Sequence, residues 1–150
     1  MKVREIMTTE VGTCTPDTNL AEAAGVLWAR DCGVLPVVDT NGRVTGVVTD
    51  RDLCIAGATK GRVMSRIAVG EIASATLHAV GPDDEVAHAL TVMRTHRVRR
   101  LPVTGPEGDL RGIVSIHDIL LRADRRAISA DAIVEALRGI SAQQPGGPVR

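Results

Sequence analysis

Thr49 and Asp52 stand three residues apart at the end of an apolar run, Gly46-Val47-Val48, and Ser115 and Asp118 stand three apart at the end of another, Gly112-Ile113-Val114. A hydroxyl and a carboxylate at that spacing, where a strand gives way to a helix, suit the phosphate and the sugar hydroxyls of a nucleotide. An aspartate can accept two hydroxyl hydrogen bonds, each charge-assisted bond contributing about 1.5–3 kcal/mol. Phosphate calls for cations and N–H groups, which arginines and a helix N-terminus supply. The same residue types also cap helices with no ligand present. One copy alone reads as a cap; two copies in register read as a binding site.

Laying each residue over the one sixty-six places later aligns the two halves without a gap. Val3, Glu5 and Ile6 fall on Val69, Glu71 and Ile72; Pro16-Asp17 falls on Pro82-Asp83; Leu35-Pro36-Val37 falls on Leu101-Pro102-Val103; Gly42 and Gly46 fall on Gly108 and Gly112. Within the first copy, Gly12 to Thr15 reads as a short strand. Asn19 followed by Glu22 resembles a capping box, and Leu20, Ala24 and Leu27 recur at helical spacing to about Arg30. Leu35 to Val38 and Val44 to Val48 form a hairpin turned at Thr40-Asn41-Gly42-Arg43. A second helix runs from Arg51 to about Ala56, ended by Gly57. The predicted fold is α/β (α+β): two β-α-β-β-α repeats over 1–60 and 69–124, joined by a connector at 61–68. Region 125–150 carries a C-terminal helix, Ala130 to about Ile140 capped by Ser129, and a Pro/Gly-rich tail expected to be disordered. Val47, Val48, Ile113 and Val114 are expected to be buried.

The chain has 150 residues, with 18 Lys+Arg against 18 Asp+Glu, so net charge gives no argument for nucleic acid or an anionic membrane. Its three cysteines, Cys14, Cys32 and Cys54, form no CxxC pair, which favours a reducing interior. Met1 to Met7 lack an apolar signal core and no long apolar run follows, so a cytoplasmic location is expected. Trp28 is the sole aromatic among Phe, Trp and Tyr. A bound base must therefore lie between aliphatic side chains, and the aromatic platforms usual in single-strand binding are missing. His78, His88, His96 and His117 show no metal-ligand spacing, so no metal site is expected. Asp50 and Asp52 do not make a repeated carboxylate pair, because Asp50 becomes Ile116 in the second copy. No nucleophile has a base or glycine elbow beside it, and an enzyme is not expected.

From Val3 to about Ala123 the chain resembles a tandem pair of cystathionine β-synthase (CBS) domains, and in length it is similar to short stand-alone bacterial proteins made of one such pair. The resemblance rests on the doubled unit, the Leu-Pro-Val strands, the Gly-Arg/Asp-x-x-Gly hairpins and the Gly-x-x-Thr/Ser-x-x-Asp corners. It implies a pseudo-twofold module with two clefts between the halves, binding adenosine-containing ligands such as AMP, ADP, ATP or S-adenosylmethionine as a sensor. It also implies Asp52 or Asp118 on the ribose and Thr49 or Ser115 towards phosphate. Thr13 or Ala79 would lie beside the base, with Gly33-Val34 or Arg99-Arg100 at the cleft mouth. It further implies a homodimer, for which Leu27, Trp28, Val92 and Met93 offer apolar surface.

The copies differ in charge. His96-Arg97-Val98-Arg99-Arg100 in the second matches Arg30-Asp31-Cys32-Gly33-Val34 in the first, and His117 matches Arg51. The stronger phosphate site is therefore expected at Asp118, with Ser115, Arg100 and His117 beside it. Arg97 reads equally as a phosphate ligand or as part of a charged edge strand. Two other functions stay open: an interaction protein with vestigial clefts, and nucleic-acid binding through Arg94, Arg97, Arg99, Arg100 and Arg111.

Overall fold

The computed structural model describes residues 1–122 and 128–142. The predicted tail from Gln143 onward lies outside the described residues. Helix α1 (Leu20–Ala29) starts where the Asn19 side chain accepts the Glu22 N–H, and it buries Leu20, Ala23 and Leu27. Strands β1 (Val34–Val38) and β2 (Val44–Thr49) pair antiparallel about a turn in which Gly42 takes φ 76°. Helix α2 (Asp50–Thr59) follows at once. The second repeat gives α3 (Val86–His96), the antiparallel pair β3 (Arg100–Thr104) and β4 (Leu110–Ser115), and α4 (Ile116–Arg122), with Gly108 at φ 82°. Helix α5 (Ala130–Ser141), capped by Ser129, packs Ala136 and Ile140 into the second repeat's core.

The two hairpins meet at their tips. Val44 N–H donates to the Gly108 carbonyl at 3.0 Å and Leu110 N–H to the Gly42 carbonyl at 3.3 Å, a reciprocal pair that marks the pseudo-twofold. The leading segments cross between repeats. Thr8 exchanges both backbone hydrogen bonds with Ile113 of β4, and Ser74 does the same with Val47 of β2. The cores are exchanged accordingly: Val3 and Ile6 pack with Leu101, Val114 and Ile119, whereas Ile67 and Val69 pack with Leu20, Leu35 and Val48. The 61–68 segment is thus no simple spacer, since Ile67 is fully buried in the first repeat.

Four expectations are corrected. Gly12 to Thr15 forms no strand; Cys14 alone bridges Val37 in parallel, before Thr15 turns back through its N–H to the Thr18 hydroxyl. The second copy matches it, with Val80 bridging Val103. Helix α2 runs through Gly57 to Thr59, because nothing forces Gly57 out of helical geometry; the positive φ falls at Gly61 instead. Val47 and Ile113 are only half-buried: alternation along β2 and β4 sends Val48 and Val114 into the cores and turns their neighbours towards the space between the repeats. Of the four residues expected at a dimer surface, Leu27 and Met93 are core, Val92 is partly buried, and Trp28 alone is exposed, at 89%.

Candidate functional site

Each hydroxyl–aspartate corner forms a capping box. Thr49 Oγ1 donates to Asp52 Oδ2 at 2.7 Å, the Thr49 N–H donates to the same oxygen at 2.9 Å, and the Asp52 N–H returns to Thr49 Oγ1 at 3.2 Å. Ser115 and Asp118 repeat this at 2.5, 2.9 and 3.2 Å. The cap therefore exists without a ligand, and it fixes the carboxylate at the end of a strand. The second oxygen differs between copies. Asp118 Oδ1 lies 3.6 Å from Arg122 Nη1, whereas Asp52 Oδ1 has no partner among the described residues.

Because the leading segments cross, each corner faces the other repeat. Thr49, Arg51 and Asp52 border a cleft of about 650 Å³ that is also lined by Ser74, Thr76 and His78, by His96, Arg97 and Arg99, and by the aliphatic Val47, Pro102 and Ile113. Ser115 and Asp118 border a smaller cleft of about 290 Å³, opposite Thr8, Glu10, Val11 and Gly12, with Arg30, Asp31 and Cys32 at its end. The first volume lies within the range of small-molecule sites, about 300–1,000 Å³, and the second falls just below it. Val34 and Arg100 line both clefts.

Among the described residues, no three His, Cys, Asp or Glu come close enough to hold a metal ion. No helix among them is long and apolar enough to cross a membrane.

The family model of the CBS domain matches residues 3–58 and again 69–124. The chain belongs to the CBS domain family. It carries the domains as a tandem pair, like the CBS domain-containing protein YhcV of Bacillus subtilis, which is 32% identical over 94% of this chain and 96% of that protein. The CBS pair of protein MJ0100, solved in complex with 5′-methylthioadenosine and S-adenosyl-L-methionine, superposes with a TM-score of 0.73 at 25% identity, covering 80% of this chain and 93% of that one. CBSX2 in complex with AMP superposes with a TM-score of 0.68 at 25% identity, covering 79% and 93%.

Within this CBS pair the Asp52 cleft is lined by four arginines, Arg51, Arg97, Arg99 and Arg100, whereas the Asp118 cleft is lined by Arg30 and Arg100, with Arg122 beside the carboxylate itself. Arg97 and Arg99 follow α3 and line the same cleft as the first repeat's corner. Arg51 lines the larger cleft; its counterpart His117 is exposed and lines neither. Thr13 is exposed outside both clefts, and Ala79 lines a separate surface hollow with Val80 and Asp84. Arg100 sits beside Ser115 in the β3–β4 register, yet reaches across to the first repeat. A Cβ built on Gly33 would stand 3.0 Å from Asp50 Oδ2 and 3.7 Å from Arg100 Nη1.

The turns that aim these residues are equivalent. Asp31 and Arg97, one at the end of each leading helix, take left-handed φ values of 47° and 56°. Such a conformation is costly away from glycine and is often kept at binding sites. His78 and His96 stack with ring centroids 3.6 Å apart and 15° between planes. Burial, and then the neighbouring His96, hold the His78 imidazole below its ordinary value. Ser74, Thr76, His78 and Glu10 escape sequence reasoning because they enter their clefts only through the crossing of the leads.

Proposed function

We propose that this protein is a non-catalytic regulatory module that senses an adenosine nucleotide, AMP, ADP or ATP, in the larger cleft. The observation that carries this reading is the meeting of a ribose-type corner, Thr49 and Asp52, with the guanidinium groups of Arg51, Arg97, Arg99 and Arg100 around one cavity. Asp52 Oδ1 accepts from the ribose hydroxyls while Oδ2 stays in the cap. Val47, Pro102 and Ile113 supply the aliphatic surface for the base. The arginines and the start of α2 take the phosphates. The AMP and S-adenosylmethionine complexes of similar CBS pairs support an adenosyl ligand. The location that follows is the nucleotide-rich cytoplasm.

The same chain is proposed to form a homodimer. Trp28 on α1, Ile55 on α2, and Leu120 and Leu121 on α4 expose apolar side chains, with Ile55 and Leu121 at equivalent places in the two repeats. Sedimentation at micromolar concentration tests it. Nucleic-acid binding is less well supported, since Arg111 is paired with Asp109 at 2.5 Å and Arg94 packs against Gly139. Thermal denaturation with AMP, ADP and ATP tests the sensing role. A ligand at 100 times its Kd adds about 2.7 kcal/mol to stability. A melting temperature unmoved by all three nucleotides at millimolar concentration would return the chain to the interaction-protein reading.

A further inference from the structure

The two clefts each carry a hydroxyl–aspartate corner and differ in the charged residues that line them. The larger holds four arginines, Arg51, Arg97, Arg99 and Arg100, against the two carboxylates Asp50 and Asp52. The smaller holds two arginines, Arg30 and the shared Arg100, against three carboxylates, Glu10, Asp31 and Asp118.

These differences fall at positions related by the sixty-six-residue repeat. Asp31 stands where the other cleft has Arg97, in the same left-handed turn, which reverses the sign. Gly33 stands where the other copy has Arg99, which removes a cation. Glu10 stands where the other cleft has Thr76, which adds an anion.

We infer that the clefts sort adenosyl compounds by charge: the larger takes a nucleotide di- or triphosphate, and the smaller takes an adenosyl compound whose 5′ substituent is uncharged or cationic. This rests on the nucleotide reading of the larger cleft and extends it. A phosphate chain in the smaller cleft would face the like charges of Glu10 and Asp31, a repulsion that solvent screens in part because both side chains are exposed. A thioether or sulfonium meets no such barrier, and the carboxylates favour the cation. Size points the same way, since about 290 Å³ suits a nucleoside without a phosphate chain and about 650 Å³ leaves room for one.

The test uses the full chain with ADP, 5′-methylthioadenosine and S-adenosylmethionine as probes, followed by titration calorimetry and by NMR of the labelled protein. The expected result is one ADP per chain, with methylthioadenosine binding alongside it and shifting signals around Ser115 and Asp118. Asp31→Arg copies the residue already tolerated in the equivalent turn, and combined with Glu10→Thr it should create a second ADP site and weaken S-adenosylmethionine by about tenfold. Two equal ADP sites in the unmodified protein, or displacement of ADP by methylthioadenosine one for one, would overturn the sorting while leaving a nucleotide sensor in place. Failure of both probes to bind would remove the nucleotide reading and the sorting together.

Discussion

Gly46 lies so close to Ser74 that a Cβ added to it would stand 2.5 Å from the Ser74 carbonyl oxygen. The same holds across the pseudo-twofold, where a Cβ on Gly112 would meet the Thr8 carbonyl at 2.7 Å. These contacts carry the crossed leads, whose backbone hydrogen bonds run alongside them. Gly46→Ala must push the lead off β2, at a cost of about 1–3 kcal/mol for an overpacked site. Thermal unfolding should show that loss, with Gly42→Ala as a comparison that strains the turn but meets no atom within 4 Å.

Ile67 tests the exchange of cores. It is fully buried against the first repeat although it precedes the second. Ile67→Ala should cost about 2–5 kcal/mol, the range for a buried aliphatic truncation. Amide exchange should rise in α1 and β1 before it rises in α3 and β3. Loss confined to the second repeat would contradict the crossing.

The three thiols should react in order of exposure. Cys54 is exposed, Cys32 is half-buried, and burial pushes the Cys14 thiol up to about 11. At pH 8, mass spectrometry after limited alkylation should find Cys54 modified first and Cys14 last. Rapid modification of Cys14 in the folded protein would mean that its strand-side packing opens readily.

Stability should fall in mild acid because of His78. Its folded imidazole is held below the ordinary value of 6.5 by burial and by His96. Below that value the unfolded chain takes up a proton that the folded chain resists, so the contribution is full above pH 6.5 and shrinks as pH falls through it. Glu71, held low by Arg62, and Glu85, held low by Lys2, add a further loss only below about 4.5. Melting temperatures from pH 7.5 to 5.5 should therefore drop more in the native protein than in His78→Gln.

Much of the architecture was legible in the sequence because its signals are local. Asn19 and Ser129 announce helix starts, Gly42 and Gly108 announce hairpin turns, and the sixty-six-residue register predicts that whatever one copy does the other repeats. The corners at Thr49–Asp52 and Ser115–Asp118 were legible for the same reason. The pairing of cleft walls was not. Whether Arg97 and Arg99 serve Asp118 or Asp52 depends on Ser74 pairing with Val47 and Thr8 with Ile113, contacts made across the chain that no spacing within one repeat encodes. Val47 and Ile113 misled for a related reason: an apolar run reads as core, but in a two-stranded hairpin one face of it can be the floor of a binding cleft.

The central claim is that an adenosine nucleotide binds in the Asp52 cleft with its phosphates on the arginines that follow α3. Calorimetric titration of ADP and of adenosine into the native protein and into Arg99→Ala tests it most directly. Loss of one charge-assisted phosphate contact, about 1.5–3 kcal/mol, should weaken ADP by at least about tenfold while adenosine, which keeps its contacts to Asp52, is unchanged. ADP binding that is unaffected in Arg99→Ala but lost in Asp118→Ala would contradict it, and would put the nucleotide in the smaller cleft.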